Sequence, residues 1–282
     1  MEGNVNRRQL LGGSVAFAAG CMCTSRLLAA VGKTPSEWTP LFNGKSLDDW
    51  TFYQEGIGAT DIHKAVAIED GVLHFLGPSY AHDDAPPGRI STKREWGNYH
   101  LRVDYRWGKR RWPPRKLQRR NSGILYHMGP ERDRLFPECI EFQVEEGDVG
   151  DAVMVDTMAL QGPLLGGTPL WPSWIEALPS TYQEPIRAGG YARQWHRHSG
   201  PYEKLDDWNT LDLIAFRDQA AHLVNGRIVN TLFKMLQSGG KAPLTKGRIA
   251  LELEWAEIYF RNVLIRPLSE SSVDLFLKQG SD

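Results

Sequence analysis

The sequence predicts an all-β protein, a sandwich or jelly roll of two antiparallel sheets with one long irregular loop. Three observations carry this. Several short segments alternate between apolar and polar residues, the period of a strand with one buried face. Compact turn signals separate them, above all Asp70-Gly71 and Asn225-Gly226. No repeat and no long amphipathic helix accompanies them, so the strands must bury their apolar faces on one another.

The first 30 residues read as a leader. Asn6-Arg7-Arg8-Gln9-Leu10-Leu11 is a twin-arginine pair followed by apolar residues, and Gly12 to Gly20 is a weakly hydrophobic run of small residues. That run is too short for a lasting membrane span. The expectation is a twin-arginine export signal and a periplasmic or cell-envelope protein. Ala18-Ala19-Gly20-Cys21 resembles a lipoprotein cleavage box, which would leave Cys21 for lipidation and make that lipid the only membrane contact. Cleavage after Ala30 and a soluble product is the alternative. A linker, 31–37, follows.

The folded part is expected over 38–268. Leu41 to Trp50 contains the tight turn Asn43-Gly44, and Val66 to Phe75 reads as a hairpin closed by Asp70-Gly71. Tyr99 to Trp107 alternates, with Leu101, Val103 and Tyr105 on one face. Ser122 to Met128 reads as another strand. Cys139 to Glu145 alternates most strictly: Ile140, Phe142 and Val144 point one way, Glu141, Gln143 and Glu145 the other. A row of two carboxylates and an amide is either a solvated face or the polar floor of a cleft for a polyhydroxylated ligand or acid/base chemistry. Residues 160–206 show no clear periodicity and are expected as a long irregular, functional loop. Trp208 to Phe216 and the Asn225-Gly226 hairpin follow, then strands at Arg248 to Trp255 and Ile258 to Arg266. Residues 269–282 form a polar tail in which Val273 to Leu277 could dock.

The chain has 282 residues, 24% of them charged, and a formal net charge of −1. Without residues 1–20 it keeps 31 basic against 33 acidic groups, which gives no global attraction to nucleic acid or an anionic membrane. Arg106 to Arg120 holds eight Lys or Arg and no acid. No stacking set or helix-turn-helix accompanies it, so no nucleic-acid partner is expected. The run is expected at the mouth of a site, partly neutralised by the acidic stretch 138–151. Cys139 is the one cysteine outside the leader region, which excludes an intradomain disulfide framework.

Eight segments in order resemble the 3-keto-disaccharide hydrolase domain family. They are L-F-N-G-K-S-L-D-D-W (41–50), G-V-L-H-F-L-G (71–77), R-N-S-G-I-L-Y-H (120–127), E-C-I-E-F-Q-V-E-E-G-D-V-G-D (138–151), D-W-N-T-L-D-L-I-A (207–215), V-N-G-R-I-V-N (224–230), K-G-R-I-A-L-E (246–252) and F-R-N-V-L-I-R-P-L (260–268). Glu252 departs from the resemblance, which suggests Gln there, and adds a negative charge near the expected site. The resemblance implies a concanavalin A-like sandwich acting on an oxidised sugar substrate, a glycoside whose C3 hydroxyl is a ketone. It implies cleavage of the glycosidic bond by hydrolysis, or by C2-proton abstraction, elimination and hydration. Such chemistry needs a base, an acid, and a positive group or metal at the ketone oxygen. The other class the fold admits is a non-catalytic carbohydrate-binding module.

The candidates follow from that chemistry. Glu141 and Glu145 are first choices for base, acid or metal ligand, with ion pairing to Arg102 or Arg106 as the structural alternative. About 13 Å separates them along an extended strand, too far for the carboxylate pair of a conventional glycosidase. His127 has the proton affinity for transfer at neutral pH. Gln143, Asn121 and Ser122 suit sugar hydroxyls, and Arg106 and Lys93 suit an enolate. Trp171, Trp174 and Tyr182 could stack on a sugar ring or plug the loop onto the sandwich. Arg261 is expected to pair with Glu252 or Glu254. Asp148 and Asp151 in their Gly-punctuated turn are candidates for a divalent cation. His196 and His198 share a strand face without an evident third ligand.

Overall fold

A computed structural model describes residues 37–171 and 181–270. The leader with Cys21, most of the linker, Trp174 and the tail beyond 270 lie outside the described residues. Two large antiparallel sheets face each other. The first runs β10 (Met158–Gln161), β17 (Arg227–Leu236), β16 (Gln219–Val224), β15 (Asn209–Phe216), β6 (Tyr99–Arg111), β19 (Ala256–Pro267), β4 (Val72–Phe75) and β3 (Val66–Glu69), with β1 (Thr39–Pro40) also on β19. The second runs β13 (Ile186–Ala188), β14 (Tyr191–His196), β9 (Ala152–Val155), β8 (Cys139–Glu145), β7 (Asn121–Met128), β18 (Arg248–Leu253), β5 (Gly88–Thr92) and β2 (Trp50–Gln54). A small ribbon, β11 (Leu164–Leu165) with β12 (Thr168–Pro169), stands apart.

Alternation decides what lies between the sheets. Leu101, Val103 and Tyr105 of β6 and Ile140, Phe142 and Val144 of β8 share one core, joined by Ile249, Leu251 and Leu253 of β18. A polar tie crosses this core: the His222 ring stacks on Phe142 at 4.1 Å, and its Nε2 lies 3.0 Å from the Tyr126 hydroxyl. The hairpin turns stand where the sequence places them. Asp70-Gly71 and Asn225-Gly226 have positive φ at both residues, as a two-residue turn between twisted strands requires.

The expected irregular loop is in part a correction. Five short strands, β10 to β14, occupy the 160–206 region or its edge, and β14 pairs with β9 to extend the second sheet. Its inward positions hold Gln194 and His196 instead of apolar residues. Gln194 Oε1 accepts from the Ala159 amide, and His196 Nε2 lies 2.9 Å from the Ala159 carbonyl. Hydrogen-bonded polar side chains replace apolar packing there, so no hydrophobic period appears in the sequence. Strands β2 and β5, at the far edge of the same sheet, also carry no clear sequence signal.

Candidate active site

The outer face of the second sheet carries a hollow of about 440 Å³. Its floor is built by the polar residues of β8 and β7, Glu141, Gln143 and Asn121, joined by Glu254 just past β18. One wall is Tyr191, Arg193 and Trp195 of β14 with Phe136; the other is Arg115 and Trp255. Strand alternation explains the floor. With Ile140, Phe142 and Val144 committed to the core, Glu141 and Gln143 must face outward, and the neighbouring loops then bury them.

Glu252, one pleat from Glu254 on β18, lies beneath this floor with no exposure. It and Glu141 meet over Gly123. A Cβ at Gly123 would fall on Glu252 Oε2 and lie 2.7 Å from Glu141 Oε1. Glycine is what lets both carboxyls occupy that space.

Three buried carboxyls in one region cannot all be charged. Burial, then the charge of Glu254, pushes the Glu141 carboxyl up to about 8. Burial pushes Glu254 up to about 7, with Arg115, Arg193 and a hydrogen bond from Asn121 Nδ2 pulling the other way. Glu252 is pushed well above the carboxylate range by burial and by the charges of Glu141 and Glu254. Around neutral pH the group can therefore both take up and give up a proton, the property acid/base chemistry requires.

Arg193 is the cation common to all three, lowering each of them. Its guanidinium lies 5.0 Å from the Phe136 ring centre and 5.8 Å from that of Trp195, and it forms no ion pair among the described residues. Sequence reasoning missed Arg193 because β14 has no apolar face. It placed Glu254 only as a partner of Arg261, and Glu252 as such a partner and as a departure from the family pattern near the site.

Of the basic run 106–120, Arg115 lines the hollow, while Arg106 to Arg111 belong to β6 of the first sheet; the acidic stretch pairs with the end of the run. Arg115 Nη1 donates to Glu145 Oε1 at 2.6 Å, Arg120 makes a two-point pair with Glu146, and Arg119 pairs with Asp148. Glu145 thus sits at the rim as an ion-pair partner. Asn121 and Gln143 are bonded to each other, Gln143 Nε2 donating to Asn121 Oδ1 at 2.9 Å.

Other candidates lie elsewhere. His127 is enclosed between Tyr99 and Tyr126 and touches no part of the hollow. Its φ of 48° and the irregularity between β7 and β18 turn it out of the alternation, and burial lowers its imidazole to about 3. Ser122 faces inward and donates to the Glu252 carbonyl at 2.8 Å. Arg106 lies on the other sheet, stacked between Trp208 and Tyr259, and Arg102 pairs there with Asp212. Lys93 donates to the Asp48 carbonyl beside a separate hollow. Trp171 packs on Ile214, Ala221 and Leu223 of the first sheet, and the Tyr182 hydroxyl donates to the Lys234 carbonyl. Arg261 lies 3.5 Å from Asp104 and 3.8 Å over Trp208, away from Glu252 and Glu254.

The residues expected for a divalent cation have other partners. Asp151 accepts from Arg197 and His198, while Asp148 holds Arg119. Among the described residues no three His, Cys, Asp or Glu side chains are grouped to hold a metal ion.

Solved structures similar to this chain include a protein of Parabacteroides distasonis described as a "putative glycosyl hydrolase", at 18% identity and a TM-score of 0.48, covering 82% of this chain and all of that one. A Bacillus licheniformis beta-glucanase is 12% identical with a TM-score of 0.46, covering 84% of this chain and all of its own. A Bacillus subtilis carbohydrate binding module is 12% identical with a TM-score of 0.40, covering 81% of this chain and 94% of its own. The search of curated proteins finds no match. The 3-keto-alpha-glucoside-1,2-lyase-like domain matches residues 37–266, and the chain belongs to that family.

Proposed function

We propose that this protein cleaves the glycosidic bond of 3-keto-glycosides by removing the C2 proton, expelling the group on C1 and hydrating the product. The observation that carries this is the convergence of Glu141 and Glu254 with Arg193 in one hollow. A ketone at C3 makes the C2 proton acidic. Glu254, nearest to ionisation at neutral pH, takes that proton as the base. The enolate oxygen then carries negative charge, and Arg193, with no ion-pair partner among the described residues, is the group to stabilise it. Glu141, higher and mostly protonated at neutral pH, gives its proton to the leaving oxygen. Adding water across the resulting double bond gives the hydrolysis product. Tyr191, Trp195 and Trp255 offer apolar faces to the sugar ring, and Trp195 is exposed enough, at 38%, to meet it at the rim. The twin-arginine leader supports placing this reaction outside the cytoplasm, with Cys21 as a lipid anchor. Mass spectrometry of the mature N-terminus tests the anchor; a peptide starting after Ala30 refutes it.

The deciding experiment measures aglycone release from a chromogenic 3-keto-glucoside beside the same glucoside with its C3 hydroxyl intact. Wild type, Glu141→Gln and Glu254→Gln are run with and without a chelator. Release from the keto sugar alone, lost in Glu254→Gln, is the expected result. No release from either sugar by a folded protein that still binds saccharide refutes the reaction and leaves a carbohydrate-binding module.

A further inference from the structure

Glu252 is not needed for the reaction just described, yet it occupies the most enclosed position in the cluster. Its side chain is fully buried, and neither oxygen reaches a backbone amide, a hydroxyl or a guanidinium. The strand neighbour that could neutralise it does not. Arg89 pairs with Glu252 in the backbone register, but its guanidinium donates to the carbonyls of Glu131, Arg134 and Leu135 and to the Ser91 hydroxyl. Arg248, earlier on β18, donates to the Pro130 carbonyl. Cys139 of β8 is a buried free thiol and adds no positive charge. Arg193 from β14 faces the cluster from above and is shared by all three carboxyls, while Arg115 serves Glu254. What lies against Glu252 is the Glu141 carboxyl, in the space Gly123 leaves.

An ionised carboxylate in such a place, with no donor, is prohibitively costly. A protonated one has an O–H to donate, and Glu141 is the acceptor in front of it. We infer that Glu252 is a buried, protonated positioning residue that donates its proton in a hydrogen bond to Glu141, steadying the Glu141 carboxylate each time that residue has delivered its own proton. This rests on Glu141 acting as the acid. The balance is simple: Glu141 loses one proton to the leaving oxygen and regains one from the water that adds its oxygen to C1, Glu254 returns to C2 the proton it took, and the Glu252 proton stays between the two carboxyls. The hydrogen bond to Glu252 lowers Glu141, in the direction this arrangement requires.

Two readouts test this, one independent of turnover. Infrared difference spectra between wild type and Glu252→Gln at neutral pH are expected to show loss of one protonated-carboxyl carbonyl band, and that band is expected to shift in Glu141→Gln. Loss of an ionised-carboxylate band instead overturns the inference, whatever the activity assay shows. The second readout is the pH dependence of kcat on a 3-keto-glucoside with a poor leaving group. Losing a donor to a charged carboxylate raises Glu141, so the alkaline limb is expected to move up by about one to two pH units in Glu252→Met and by less in Glu252→Gln, whose amide still donates. The donor-free variant is also expected to lose about tenfold or more in kcat with KM little changed. An unmoved limb in both variants refutes the role of Glu252 even if Glu141→Gln and Glu254→Gln behave as proposed. An inactive wild type with the band change present refutes the reaction and leaves the shared proton standing.

Discussion

Arg115 and Glu145 form a 2.6 Å ion pair that ties the basic loop 112–120 to the strand forming the floor of the hollow. The pair has a second consequence. Arg115 also faces Glu254 and holds that carboxyl lower than burial alone would leave it. One arginine thus fixes the mouth of the site and tunes the group assigned as base.

Replacing Arg115 by Met should therefore move the acid limb of the pH–rate profile. In the proposed reaction Glu254 works as a carboxylate, so activity falls as pH drops through its pKa. Without Arg115 that pKa rises, and the limb should move up by about one pH unit. Stability should change little, on the order of 1 kcal/mol or less, because the Arg115–Glu145 pair is partly exposed. An unmoved limb would separate Arg115 from the chemistry.

Arg193→Met should cost about a hundredfold or more in kcat, the scale of losing one preorganised group at a developing oxyanion. Arg193→Lys should recover part of that. KM should move far less than kcat if Arg193 acts on the enolate and not on the ground-state sugar. Steady-state kinetics on the 3-keto-glucoside measure both, and a pure KM effect would assign Arg193 to binding.

Gly123→Ala should disrupt the site through one methyl group. The added Cβ would collide with the Glu141 and Glu252 carboxyls, and overpacking of this kind costs about 1–3 kcal/mol. Aglycone release should fall at least tenfold, with a lower Tm in a thermal melt. Unchanged activity would mean that the two carboxyls can part without consequence.

The second-sheet strand Cys139 to Glu145 was legible because Ile140, Phe142 and Val144 alternate with polar residues, which fixes Ile140 to the core and Glu141 to the opposite face. The basic run was legible by charge balance alone. Glu252 stood out only as a departure from the family pattern and Glu254 not at all, since R-I-A-L-E-L-E is as good a solvated strand as a buried one until the walls of the hollow are known. His127 misled for a local reason. Alternation would carry it outward after Tyr126, but a left-handed backbone at that residue turns the ring inward. Trp171 misled for a different one: an aromatic residue in a loop reads the same whether it meets a sugar or, as here, the outer face of the first sheet.

The buried titratable groups also predict the pH dependence of stability. His127 and His222 are held at about 3 and about 4, below their ordinary 6.5, by burial. Unfolding releases them to be protonated, so their contribution is present above pH 6.5 and is lost as pH falls towards 4 and below. Glu141 and Glu254 are held at about 8 and about 7, and Glu252 also well above, where 4.5 is ordinary. Their contribution is full below pH 4.5 and is lost as pH rises towards 8. Between pH 4.5 and 6.5 the two slopes oppose, so Tm should be nearly flat. It should fall on both sides, with the lowered Asp151 and Asp212 adding to the loss in acid. Glu254→Gln should soften the alkaline fall and leave the acid fall alone. His127→Gln should do the reverse, and should leave the pH profile of aglycone release unchanged because the ring does not reach the hollow. Melts from pH 3.5 to 9 measure this. A wild-type Tm that stays level from pH 6.5 to 8.5 would mean that Glu141 and Glu254 are already ionised, and the acid/base assignment would fall with the stability argument.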